Sequence, residues 1–262
     1  MSRICPLFSG STGNSTYIGT QNGGILVDAG ASFKGLCSAL ERAGGEYGEI
    51  KAIAVTHEHI DHIKGLKTFL NKTDASLIAS KKTLETLISA DKVLAKTKVI
   101  EIGDSSVDIN GILINRFATS HDCEGSSGYY LTLPDGKKVS VCTDLGVVTD
   151  EVRTSISKSD VILMESNHDI DMLKKGPYPP HLKMRIMSDM GHISNNTCAS
   201  EIKEFFKIGT MRFILGHLSQ NNNTPVLARS ASESALMDLG AVNGKDYILS
   251  VASPKDNGVI VI

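Results

Sequence analysis

The chain has 262 residues, 41% of them apolar, with 27 basic and 29 acidic side chains and a formal net charge of −2. That is enough chain and apolar surface for one large domain over residues 1–262. A broadly basic surface is excluded, and so is a membrane span, because no run of about eighteen apolar residues occurs. The N-terminus shows no charged-then-apolar leader, and the cysteines at 5, 37, 123, 142 and 198 are odd in number and lack CxxC spacing. Both features lead to the expectation of a cytoplasmic protein in a reducing compartment.

In chain order, strand-like runs cover 4–8 and 15–19. The loop between them, Ser9-Gly10-Ser11-Thr12-Gly13-Asn14-Ser15, either presents backbone N–H groups to a phosphate or makes a tight turn. Gln21-Asn22-Gly23 punctuates a hairpin into a strand at 24–27. A helical pattern follows at 33–43, a buried strand at 50–56, and helical patterns at 62–70 and 82–90. The second half repeats the alternation, with strands at 99–102, 112–118, 128–132 and 139–142, and Asp135-Gly136 punctuates a hairpin between the last two of these. Strands at 161–165 and 212–215, helices at 197–206 and 225–239, and a last strand at 258–262 complete it. The pattern by itself predicts a mixed α/β domain without an internal linker.

The chemistry concentrates at the end of the strand at 50–56, where Thr56-His57-Glu58-His59-Ile60-Asp61-His62 packs four metal-ligand side chains into one short stretch. Imidazole nitrogen and carboxylate oxygen suit zinc and related divalent ions. His57 and His59 lie on the loop, while Asp61 and His62 open the next helix, so the two pairs approach from different directions and suit two adjacent ions. Further ligand types stand after later strands: His121 after 112–118, Asp144 after 139–142 and His217 after 212–215. Functional groups gather at such strand ends in layered α/β proteins.

This ordered set, HxHxDH followed by a lone His, an Asp and a last His, resembles the metallo-β-lactamase superfamily along nearly the whole chain. The resemblance implies a four-layer αββα sandwich, two mixed β-sheets flanked by helices. It further implies one metal held by His57, His59 and His121, another by Asp61, His62 and His217, Asp144 bridging them, and Asp28 orienting the ligands from behind. Asp144 in place of cysteine and the presence of His62 depart from the antibiotic-hydrolysing class, and His59 departs from the di-iron electron carriers. Val161-Ile162-Leu163-Met164-Glu165-Ser166 and Met190-Gly191-His192-Ile193-Ser194 resemble the strand-end acid and GHxS motif of nucleic-acid-processing members. Glu165 and His192 lie too close in sequence to hold the β-CASP insertion those members usually carry. With Glu165-Ser166-Asn167-His168-Asp169 and His217-Leu218-Ser219-Gln220-Asn221-Asn222-Asn223 also fitting, the chain is most similar to the compact WalJ/YycJ-type family. The implied activity is that of a 5′ exonuclease, or a related phosphodiesterase, on nucleic acid, DNA in preference.

Two divalent ions, zinc or manganese, with iron as a third option in protein as purified, would activate water and stabilise negative charge on a phosphate oxygen. Asp61, His192 and Glu165 form the expected catalytic group, with His192 as the acid for the leaving oxygen and Glu165 orienting it. The alternative for His192 is a helix-capping or core role. Ser11, Asn14, His168, Lys183 and Arg185 are candidate substrate contacts. Lys174 and Lys175 join Lys183 and Arg185 in a local basic patch, which a net charge of −2 makes necessary for a nucleic-acid partner. Tyr178 either stacks on a base or packs in a turn, and His181 is expected in a loop. A glyoxalase-like hydrolase of small esters or thioesters is the competing enzyme class, and a non-catalytic module the third. Glu165 with His192 favours the nuclease.

Overall fold

A strand that is apolar at successive positions, such as Val161-Ile162-Leu163-Met164, has to be covered on both faces. The structure, a computed structural model, describes residues 2–262 and covers these strands with two layers. The first half forms β1 (Arg3–Phe8), β2 (Ser15–Thr20), β3 (Gly23–Val27), β4 (Ile50–Ala54), β5 (Ser76–Ala79) and β6 (Val99–Glu101). The second half forms β7 (Val107–Ile109), β8 (Ile112–Ala118), β9 (Ser127–Thr132), β10 (Lys138–Cys142), β11 (Val161–Glu165), β12 (Arg212–Gly216), β13 (Ile248–Val251) and β14 (Ile260–Val261). They assemble as two seven-stranded sheets, ordered β14-β1-β2-β3-β4-β5-β6 and β13-β12-β11-β10-β9-β8-β7. Each sheet is antiparallel in its hairpin region and parallel through β3-β4-β5-β6 or β10-β11-β12-β13.

Strand alternation sorts the apolar side chains into three buried layers. Ile25, Val27, Ala52 and Ala54 of the first sheet meet Tyr129, Leu131, Val161, Leu163 and Ile214 of the second in the middle layer. Leu26, Ile53 and Val55 face outward against α1 (Phe33–Arg42), α3 (Leu66–Lys72) and α4 (Lys81–Ser89), with the short α2 (Ile60–Ile63) between α1 and α3 in the chain. On the far side Ile162, Met164, Phe213 and Leu215 pack against α5 (Asp150–Ile156), α8 (Asn195–Lys207) and α9 (Pro225–Met237). The shorter α6 (Ile170–Lys175) and α7 (Pro180–Ile186) lie between β11 and α8 in the chain. This is the αββα sandwich. Tyr129 ties the sheets across the middle layer, its buried hydroxyl donating to the Val55 carbonyl at 2.7 Å, next to the histidine motif.

Several expectations need correction. The single helix at 62–70 is two, α2 and α3, because Gly65 presses against the Ala31 carbonyl and donates its N–H to Ala29 O at 2.8 Å, leaving no room for a side chain or a continuous helix. β5, β7 and β13 and helices α5, α6 and α7, each only three to seven residues long, were not anticipated, being too short to show a period. His181 lies in α7 and not in a loop. The terminal strand shrinks from 258–262 to Ile260–Val261. No helix among the described residues is long and apolar enough to cross a membrane.

Gly30 shows how the ligand loops are locked. Its N–H donates to Asn14 O at 2.8 Å, and a Cβ there would overlap the Asp61 carbonyl oxygen and meet the Asn14 nitrogen at 2.6 Å. Both obstacles are backbone, so Gly30→Ala must displace the α2 turn bearing Asp61 or the loop bearing Asn14. The expected outcome is a loss of about 1–3 kcal/mol in urea unfolding together with a lower content of retained divalent metal. Wild-type values of both would show that the loop yields freely.

Candidate metal centre and active-site cleft

Most of the predicted ligands stand just past the carboxyl ends of β3, β4, β10 and β12, with His121 after β8, so loops from both sheets converge on one edge of the sandwich. Asp28, Asp144 and His217 hold φ angles of 65°, 59° and 54°, a left-handed conformation that costs a non-glycine residue about 1 kcal/mol or more. The turn immediately at the strand end is what requires it.

His57 Nε2 and His59 Nδ1 lie 3.1 Å apart, and the His121 ring stands 5.0 and 5.2 Å from theirs, centroid to centroid. His121 Nδ1 is paired with the Gly191 carbonyl at 3.2 Å, which leaves Nε2 for the centre. His57 is fully buried. Burial first, and then the neighbouring His62 and His121, hold its pKa well below the usual histidine value, in the neutral form that can coordinate a cation.

Asp28 acts from behind. Its carboxylate accepts from Thr56 N at 2.8 Å, Thr56 Oγ1 at 2.9 Å and His62 Nδ1 at 2.8 Å, turning His62 Nε2 toward Asp61 Oδ2 at 3.5 Å and Asp144 Oδ2 at 3.4 Å. Burial alone would depress His62, yet Asp144 and Asp28 outweigh it and raise the group to about 9. Asp61 is opposed by burial as well, but His217 and His62 bring it down to about 2.

Glu165 is fully buried and fully engaged. Oε1 pairs with His192 Nδ1 at 2.8 Å and His217 Nδ1 at 2.7 Å, while Oε2 accepts from Ile193 N at 3.1 Å and Leu145 N at 3.4 Å. Burial would lift this carboxyl, but His192 and His217 hold it below the usual carboxylate range. The His192 ring sits 5.1 Å from that of His121 and 5.3 Å from that of His217. The rest of its motif is structural: Gly191 packs against the Arg185 and Ile186 carbonyls, and Ser194 caps α8 by accepting from Thr197 N at 3.2 Å. The capping role weighed for His192 thus belongs to Ser194.

The donors fit divalent metal. His57, His59 and His121 form one group with all donor atoms within 4.8 Å, and Asp61, His62 and His217 form another, with Asp144 joining His57 and His62. Asp144 Oδ2 and His217 Nε2 are buried without a hydrogen-bond partner, a cost of about 1–3 kcal/mol each that a cation between them removes.

A cleft of about 240 Å³ opens over this edge, lined among others by Ser11, Tyr178, Leu182, Arg185, His192 and Ser219. Of the anticipated substrate contacts, Ser11 and Arg185 reach it; Asn14, His168 and Lys183 do not. Asn14 Nδ2 lies 3.2 Å from Asp61 Oδ2 and 3.0 Å from His62 Nε2, among the ligands. His168 is buried with Nδ1 unpartnered. Lys183 bonds the Lys174 carbonyl at 2.7 Å and Lys175 pairs with Asp171 at 3.8 Å, and of the four cations expected in the basic patch Arg185 is the one that lines the cleft. Tyr178 lines the cleft and its hydroxyl accepts from Asn221 Nδ2 at 2.9 Å. Asp122 was missed. Its Oδ2 holds the Arg185 guanidinium, and its Oδ1 faces His121 Nε2 at 3.3 Å. Standing next to a predicted ligand was its only signal. Beside it, burial, then Glu58 and Asp122, push the Cys123 thiol up to about 12.

A family model described as Beta-lactamase superfamily domain matches residues 24–218. The chain is 35% identical over 252 residues to Exodeoxyribonuclease YycJ of Bacillus anthracis, covering 95% of this chain and 94% of that one. It is also 35% identical over 255 residues to Exodeoxyribonuclease WalJ of Streptococcus pneumoniae, covering 95% and 93%. Among solved structures, the metallo-beta-lactamase fold protein YhfI from Bacillus subtilis superposes with a TM-score of 0.73 at 14% identity, over 98% of this chain and 99% of that one, a likeness of fold. With the ordered ligand set gathered at one edge of an αββα sandwich, these similarities place the chain in the metallo-β-lactamase superfamily, as a member of the YycJ/WalJ family.

Proposed function

We propose that this chain, acting as one domain, is a metal-dependent phosphodiesterase that removes nucleotides from a nucleic-acid end, as a 5′ exonuclease on DNA. The observation that carries this reading is His192, whose Nδ1 is held by Glu165 at 2.8 Å so that Nε2 is left for the cleft. A nucleoside leaving group departs as an alkoxide and needs a proton, which a positioned imidazole supplies. The exodeoxyribonuclease names of the YycJ and WalJ relatives support DNA as the substrate.

His57, His59 and His121 would hold one divalent ion and Asp61, His62 and His217 a second, with Asp144 between them. Zinc or manganese bound there supplies a water nucleophile near neutral pH and neutralises charge on the phosphate. The remaining work belongs to the side chains. Asp28 fixes the His62 ring, and Asn14 steadies Asp61. Glu165 orients His192 and His217 together, so acid and ligand keep a constant separation. Arg185, braced by Asp122, takes a strand phosphate through charge-assisted hydrogen bonds, and Ser11 offers a hydroxyl on the cleft wall.

Elemental analysis of metal-replete protein should give about two divalent ions per chain. Asp144→Ala should lower both occupancies together, and loss of one alone would remove Asp144 from the bridging position. His192→Ala should reduce kcat on DNA by about 10²–10⁴-fold with metal content unchanged, and by much less on bis-p-nitrophenyl phosphate, whose leaving group hardly needs a proton. Equal losses on both substrates would make it a phosphate-positioning group. Arg185→Ala should cost about 1.5–3 kcal/mol in kcat/KM on oligonucleotides, mostly through KM, with partial recovery in Arg185→Lys. An unchanged KM removes Arg185 from the substrate contacts. A panel of 5′- and 3′-labelled DNA and RNA with a thioester tests the reading as a whole, since turnover of the thioester alone would replace it with the small-ester hydrolase.

A further inference from the structure

His59 has two faces. Nδ1 points to His57 and the candidate metal centre, while Nε2 points away from it, 3.3 Å from Cys123 Sγ and 3.5 Å from Asp122 Oδ1. The three outward donors all lie within 4.8 Å of one another. A hydrogen bond explains one of the two contacts, since Nε2 has a single proton to donate. A tetrahedral cation explains both. With zinc–sulfur near 2.3 Å and zinc–nitrogen or zinc–oxygen about 2.0–2.1 Å, the ion sets nitrogen and sulfur about 3.5 Å apart and nitrogen and oxygen about 3.3 Å apart. These spacings are within a few tenths of an ångström of those present.

We propose that Cys123, His59 and Asp122 form a separate site for a soft divalent cation, zinc in excess or cadmium, at the mouth of the cleft. The donor set suits such an ion, because thiolate selects soft metals and imidazole is common to all of them. Glu58 contributes an uncommitted oxygen close by: its Oε2 is buried without a hydrogen-bond partner and its charge bears on the Cys123 thiol. The loop that carries Cys123 is held in place, with Ser126 N bonded to Cys123 O at 3.2 Å and the Gly125 carbonyl accepting from Ser80 Oγ at 2.8 Å and Thr83 Oγ1 at 3.2 Å. Entry is open, since the His59 and Asp122 side chains are 35% and 32% exposed. Arg185 occupies Oδ2 of Asp122, and Oδ1, 3.5 Å from His59 Nε2, would turn to the ion from its present contact with His121 Nε2 at 3.3 Å. On binding, sulfur–metal, nitrogen–metal and oxygen–metal bonds from Cys123, His59 and Asp122 would replace three metal–water bonds, the released waters going to solvent with the thiol proton and the Nε2 proton of His59.

Occupancy would engage His59 on both nitrogens and share the carboxylate that braces Arg185, so the ion acts as an inhibitor. The test uses the full-length, metal-replete protein and cadmium as the probe. Wild type should gain the ultraviolet thiolate-to-cadmium charge-transfer band and retain about one more ion per chain than Cys123→Ser. Cys37→Ser, which removes the other half-buried thiol, should behave as wild type. Loss of the band in Cys123→Ser with its persistence in Cys37→Ser supports the site. An equal band in Cys123→Ser, or none in wild type, overturns it. Neither optical readout depends on substrate, so a failed nuclease assay would not be mistaken for a failed metal site. In hydrolysis assays, cadmium inhibition that is lost in Cys123→Ser supports the inhibitory role, and inhibition equal in both proteins overturns it.

Discussion

The Glu165 carboxylate is the interaction on which the site depends. A lone carboxylate with no exposure carries a desolvation penalty of several kcal/mol, and four donors offset it: two imidazoles on Oε1 and two backbone N–H groups on Oε2. Those donors come from the turn after β10, from the loop before α8 and from the end of β12. One buried charge therefore fixes the relative positions of three segments distant in sequence. Because it holds His192 and His217 with the same oxygen, these two imidazoles cannot drift apart independently.

The two sheets supply what Glu165 orients. His57, His59, Asp61 and His62 come from the end of β4 in one sheet; Asp144, Glu165 and His217 come from β10, β11 and β12 in the other. Their convergence rests on the apolar layer between the sheets and on the Tyr129 hydroxyl bonded to Val55 O, one residue before the motif begins. Left-handed backbone at Asp28, Asp144 and His217 is the local cost of turning each side chain inward at a strand end. Asp28 repeats the logic of Glu165 on the first sheet, spending its carboxylate on Thr56 and on the ring of His62.

Around this core the cleft is sparsely charged. Among the described residues that line the cleft, Arg185 is the one lysine or arginine, and it is already paired with Asp122. On the function proposed, a phosphate would have to compete with that carboxylate for the guanidinium, a local exchange of partners in place of a positive surface. This is consistent with a chain whose net charge is −2.

By itself the sequence determined the chemistry: which side chains are ligand types, their order, and their position after apolar strands. HxHxDH, His121, Asp144 and His217 are legible because ligand identity is a local property and period-two apolar runs announce the strands. The long helices and both hairpins were legible for the same reason. Only the tertiary structure decided which polar residues face the cleft. Asn14, His168 and Lys183 look like substrate contacts in the chain but turn to the ligands, the interior and a helix end, since orientation depends on neighbours far along the chain. Asp122 acquires its place only when α7 brings Arg185 to it, and Gly65 breaks its helix only because Ala31 is packed against it. Composition and spacing carry no record of such contacts, because close packing between distant segments sets them.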